Sequence, residues 1–182
     1  LDAGRELRRE EVDLVGLLVD TVADARAAGP EHDWQLDLAV LEPPAGATPQ
    51  EAEDFLPEPP LVIGDEARLR QVIVNLLANA RVHTPAGSHV TTTLTREGDA
   101  LMVRIHDDGP GIAPDVRDRL FERFARGDSS RERRTGSTGL GMSIAQAIVQ
   151  SHGGSIDVDS STAPEDHGTT FTVRLPAAVV EE

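Results

Sequence analysis

The sequence predicts an α+β fold, a two-layer α/β sandwich in which a mixed five-stranded sheet packs on about three helices. Three observations predict it. Some segments carry apolar residues at helical spacing, shorter ones alternate apolar and polar residues, and Gly/Pro turns separate the two kinds. In order, residues 11–28 put Val12, Leu14, Val15, Leu18, Val19 and Val22 on one helical face and stop at Gly29-Pro30. Residues 33–41 alternate through Trp34, Leu36, Leu38 and Val40 and predict a strand. Residues 42–60 are acidic, Pro-rich and aperiodic, which predicts a long mobile loop. Leu61-Val62-Ile63 is a short strand, and Asp65 is placed to cap a helix over 66–82.

Two alternating strands, 89–95 and 100–106, are joined by Glu97-Gly98-Asp99 as a hairpin. The Gly/Pro loop 107–114 leads to short helical pieces over 114–125 and a polar, structureless stretch over 126–138. A helix from about Met142 to His152 and two strands, 154–159 and 168–175, complete the chain.

Composition narrows the function. A hydrophobic share of 38% supports one real core, and with one Trp and four Phe that core is mostly aliphatic. The absence of Cys excludes disulfides and thiolate metal sites, and no apolar run is long enough to span a membrane. A net charge of −15 argues against nucleic acid as a partner. Arginines nevertheless cluster at 117, 119, 123, 126, 131, 133 and 134, a local basic patch suited to an anionic ligand. The first residue is Leu rather than Met, and the sequence reads as a piece of something longer.

Three constellations carry chemistry. Asn75 and Asn79 lie one turn apart on the flank of the apolar stripe of helix 66–82, amides offered to a hard cation or a ligand. Taken alone, they read equally well as two half-exposed polar residues. Asp107 stands at a strand end before Gly109 and Gly111, where a carboxylate can accept a hydrogen bond and the backbone can approach a ligand. An ordinary Asp-Gly turn is the plainer reading of that stretch. Gly136, Gly139 and Gly141 precede a helix, whose free N–H groups favour an anion. They match neither the P-loop nor the dinucleotide fingerprint.

The order and spacing of these motifs are more specific than any one of them. Together they resemble the catalytic, ATP-binding domain of sensor histidine kinases, members of the GHKL ATPase family. Asn75 and Asn79 match its N box, "DDGPGI" (107–112) its first glycine box and "LFERFARGD" (120–128) its F box. "GSTGLGMSIAQAIVQSHGG" (136–154) is similar to the second glycine box, and "HGTTFTVRLP" (167–176) to the closing strand. The resemblance implies that Asp107 accepts from the adenine amino group and that Gly109 and Gly111 let the loop wrap the base. It implies that Asn79 coordinates the Mg²⁺ of Mg-ATP, with Asn75 facing the same pocket. Gly139, Leu140 and Gly141 would sit by the phosphates, residues 126–138 would form a flexible ATP lid, and Thr169 would line the pocket.

The resemblance also implies phosphoryl transfer to a histidine on a separate dimerisation domain, and a response regulator receiver domain downstream. None of the six histidines fits as acceptor: His83 ends the nucleotide-site helix and His32 enters a strand. On this reading residues 1–10 are a remnant of the linker from the dimerisation domain, 11–177 the ATP-binding domain and 178–182 a tail. The setting would be the cytoplasmic side of a membrane-anchored bacterial sensor. One departure stands out. Where relatives often carry Lys or Arg three residues after the magnesium asparagine, this chain has Val82, and Arg81 aims elsewhere on the helix. Arg126 or a lid arginine is expected to supply the phosphate contact. Relatives that hydrolyse ATP place a Glu where this chain has Asn75, which favours transfer over hydrolysis. An anti-sigma-type serine kinase and a nucleotide-binding regulatory module of the same fold are the alternatives.

Overall fold

The computed structural model describes residues 7–122 and 141–179. Five strands form the main sheet: β2 (Asp33–Asp37), β4 (His89–Glu97), β5 (Ala100–Asp107), β6 (Ser155–Ala163) and β7 (Asp166–Pro176). Their order is β2-β4-β5-β7-β6. Only β2–β4 is parallel; the other three pairs are antiparallel, so the sheet is mixed, as expected. A parallel pair needs a crossover, and helix α3 (Glu66–His83) lies within it.

Three helices cover one face. Leu14, Leu17 and Leu18 of α1 (Leu14–Ala28) meet Leu69, Val72 and Ile73 of α3 over Val103, Val173 and Leu175 of the sheet. The third helix, α5 (Gly141–Ser151), buries Met142, Ala145, Ile148 and Val149 in the same core. Phe171 at the centre of β7 is 2% exposed. Asp65 caps α3 as expected, its carboxylate accepting from the Arg68 N–H at 3.2 Å.

The structure departs from the expected elements at four places. The helix expected over 11–28 begins at Leu14, because Asp13 turns the chain and accepts from the Val15 N–H at 2.9 Å. The residues before it form β1 (Glu10–Asp13), antiparallel to β3 (Leu61–Gly64) in a separate two-stranded sheet. The strand expected over 33–41 ends at Asp37 and becomes a 3-10 turn, Ala39–Leu41, that buries Val40. The supposed loop 42–60 contains α2 (Pro49–Glu53). Thr48 and Glu51 close a reciprocal capping box there, which holds the Glu51 carboxyl below its ordinary range through bonds from the Thr48 N–H and hydroxyl. A short helix α4 (Pro114–Arg117) begins the helical pieces expected over 114–125.

Candidate functional site

β5 delivers Asp107 to its end, between β4 and β7, where the residue is 7% exposed. Burial pushes its pKa up, opposed mainly by a hydrogen bond from the Gly109 N–H to Oδ1 at 3.0 Å. That bond leaves Oδ2 without a protein donor among the described residues. Asp108 is tuned the other way. Partial burial works against its charge, but the His89 backbone N–H at 2.8 Å and the His89 ring at 2.9 Å outweigh it and hold the carboxyl low. Two neighbouring carboxylates thus differ: one ties β4 to the loop, and the other keeps one oxygen without a donor among the described residues.

The loop after Asp107 is shaped from the far side of the sheet. The Gly109 carbonyl accepts from His167 Nδ1 at 2.7 Å, and the Ile112 N–H donates to Ser160 Oγ at 2.8 Å. Ser160 Oγ in turn donates to the Gly168 carbonyl at 2.9 Å. Its proton is therefore committed, and Thr169 donates to it across 2.8 Å. Thr169 stands opposite Asp107 in the β5–β7 register and is buried there. Gly111 has φ +80, and a Cβ there would overlap the Ser161 carbonyl oxygen, so this position tolerates no side chain.

α3 borders the loop. Asn75 and Asn79 are both half-buried, as their place on the flank of the stripe predicts. Asn75 Nδ2 donates to the Gly141 carbonyl at 3.4 Å, joining α3 to the first residue of α5. The Asn79 amide has no hydrogen-bond partner among the described residues. Arg81 indeed aims elsewhere: its Cγ and Cδ lie against Gly29 at the end of α1. Arg126, Gly139, Leu140 and the 126–138 stretch lie outside the described residues. Sequence reasoning missed Ser160 and His167, which reach the loop from 48 and 58 residues away.

Among the described residues no three His, Cys, Asp or Glu side chains could together hold a metal ion, and no helix could cross a membrane. The family described as histidine kinase-, DNA gyrase B-, and HSP90-like ATPase matches residues 64–179, from the end of β3 to beyond β7. The chain belongs to this family. As a histidine kinase-like ATPase domain it is 48% identical over 176 residues to the probable sensor histidine kinase TcrY of Mycobacterium tuberculosis, covering 97% of this chain and 33% of that protein. It is 38% identical to the sensor histidine kinase TrcS of the same organism, covering 97% of this chain and 31% of TrcS. The chain thus spans about a third of the curated relatives it matches. Among solved structures, the mycobacterial sensor histidine kinase MprB superposes with TM-score 0.74 at 28% identity, covering 92% of this chain and 98% of that one. Full-length ShkA in complex with AMPPNP gives TM-score 0.74 at 26% identity, covering 99% of this chain and 33% of that one.

Proposed function

We propose that this chain is the kinase domain of a two-component sensor histidine kinase. It binds Mg-ATP and passes the γ-phosphate to a histidine on a dimerisation domain, for onward transfer to a response regulator. The observation that carries the reading is Asp107: a buried carboxylate at a strand end, one oxygen held by Gly109 and the other without a protein donor. An adenine amino group is the donor that position suits, and guanine, with a carbonyl there, would meet acceptor with acceptor.

The donor set fits the cofactor. Mg²⁺ keeps several waters and binds through a few hard oxygens plus substrate phosphates rather than a protein cage. The Asn79 amide oxygen, half-buried and without a hydrogen-bond partner among the described residues, is such a ligand. When bound, Mg²⁺ neutralises charge on the phosphates, and positioning supplies much of the rest of phosphoryl-transfer catalysis. In this chain Asp107 and Thr169 orient the base, Ser160 and His167 hold the loop that would lie against it, and Asn75 ties α3 to the first residue of α5. Arg126, Gly139 and Leu140 are assigned to the phosphate end on their sequence pattern. With Asn75 in place of a general base, transfer to a protein is favoured over hydrolysis. Since the relatives are sensor kinases, we place the domain on the cytoplasmic side of a membrane-anchored parent.

The test mixes this chain with γ-labelled ATP, Mg²⁺ and a separately produced dimerisation domain of TcrY. Acid-labile label on the histidine of that domain is expected. Tight Mg-AMPPNP binding with no transfer to any offered acceptor domain would leave a regulatory module instead.

A further inference from the structure

Two polar links pin α5 to α3, one at each end. At the site end Asn75 Nδ2 donates to the Gly141 carbonyl. At the far end the Asp65 N–H donates to His152 Nε2 at 3.0 Å, across 87 positions of sequence. Since Asp65 starts α3 and His152 follows the last residue of α5, the two helices run antiparallel. Asp65 to Asn75 is ten residues and Gly141 to His152 eleven, about 15 and 16 Å at 1.5 Å per residue. The two links therefore have matching spans, and together they set the axial register of α5 on α3.

The His152 imidazole is built for this task. Nδ1 lies 2.7 Å from the Ile148 carbonyl, which can only accept, so the proton sits on Nδ1 and Nε2 is the acceptor for Asp65. Gly64 makes room for the ring: a Cβ there would overlap His152, reaching within 2.7 Å of Nε2. The Asp65 carboxylate meanwhile accepts from the backbone N–H of Arg8, ahead of β1, at 3.4 Å. A cleft of about 340 Å³ lies between that N-terminal segment and the end of α5, lined by Arg8, Arg9, Gly64 and Gln150 and by His152 itself.

We propose that His152 is a positioning residue for the phosphate end of the nucleotide site, holding α5 in register so that its first residue, Gly141, meets Asn75, and coupling that register to the segment ahead of β1 through Asp65. This rests on the reading of the site as a Mg-ATP site. A displacement of an ångström at a phosphoryl site costs far more than the link itself, because catalysis there is a matter of alignment.

The experiment compares His152→Phe, which keeps the ring and removes both polar atoms, with His152→Gln, which keeps one donor and one acceptor. Affinities of this chain for Mg-AMPPNP and for adenosine are measured by chemical-shift titration. His152→Phe is expected to weaken Mg-AMPPNP by about tenfold or more while adenosine binding at the Asp107–Gly111 loop stays unchanged, and His152→Gln to restore most of the loss. A merely structural role would lower both affinities in step with thermal stability, and that result overturns the proposal. Unchanged Mg-AMPPNP affinity in a folded His152→Phe overturns it as well. The wild-type chain supplies a check that needs no variant: ¹⁵N shifts must show His152 protonated on Nδ1, and protonation on Nε2 instead would remove its basis. A wild type that binds neither ligand overturns the Mg-ATP reading itself; one that binds both, with an unaffected variant, overturns this inference alone.

Discussion

Asp107→Asn should move binding and stability in opposite directions. In the folded chain Oδ1 accepts from the Gly109 N–H. The Asn oxygen can keep that bond, which puts an amide NH₂ where Oδ2 was. Nucleotide binding then loses a hydrogen bond to a charged group, about 1.5–3 kcal/mol, and sets donor against donor in a desolvated place, about 1–3 kcal/mol more. The sum corresponds to a loss of at least about sixtyfold in Mg-AMPPNP affinity. Stability runs the other way. Burial raises the Asp107 pKa above its ordinary value of 3.8, so the folded state holds this proton to higher pH than the unfolded state does. The contribution of the group to stability is most favourable below 3.8 and declines as pH rises from there through the raised folded value. At neutral pH the wild type carries the whole cost of a buried charge, and Asn removes it. Calorimetric titration with Mg-AMPPNP and urea melts from acid to neutral pH would measure both. The variant should melt no earlier than wild type at neutral pH, with a flatter pH slope. Binding within about threefold of wild type, or stability lost in step with affinity, would refute the assignment of Asp107 to the base.

Three further outcomes are expected. Gly111→Ala forces a left-handed backbone at a cost of about 1–2 kcal/mol and drives a methyl into the Ser161 carbonyl, so urea midpoints should fall and nucleotide affinity with them. Asn79→Ala should leave the melting temperature near wild type and abolish the difference in AMPPNP affinity measured with Mg²⁺ and with EDTA; a persisting Mg²⁺ dependence would move the metal ligand elsewhere. Phe171→Ala, at a residue 2% exposed, should cost about 3–5 kcal/mol in chemical denaturation, and a loss under about 1 kcal/mol would mean the β7 face is not the core centre.

Where a signal repeats over three turns or several alternations, the sequence shows the element plainly. The stripe of α3 and the cap at Asp65 are of this kind. Strand β1 was hidden because its four residues bury Val12 alone, and that valine also fits the helical spacing of Val15 and Val19. Its strand character comes from pairing with Leu61–Gly64, a contact no local pattern announces. The helix in the 42–60 stretch could have been found, since Thr48-Pro49-Gln50-Glu51 is a capping-box spelling with Pro at the first turn. Proline density in the surroundings masked it. At the candidate site, the Asp107–Gly111 stretch was legible as a glycine turn at a strand end, where Gly111 takes the positive φ that such a turn asks for. Ser160 and His167 were not, because a hydroxyl and an imidazole on a late hairpin reach the loop only once the sheet has formed.

The strand order has a consequence for synthesis. β5 delivers the buried Asp107 carboxylate, yet its second neighbour is β7, the last strand of the fold. Until β7 is made, the row from Ala100 to Asp107 is an unpaired edge of mostly apolar residues, the kind of edge that recruits stray strands. A nascent chain therefore passes through a period in which the loop after Asp107 is unclamped and the central strand is half-dressed. Closing the sheet ends that exposure and completes the pocket in one step, so a domain shortened before Asp166 would lose ligand binding and solubility together.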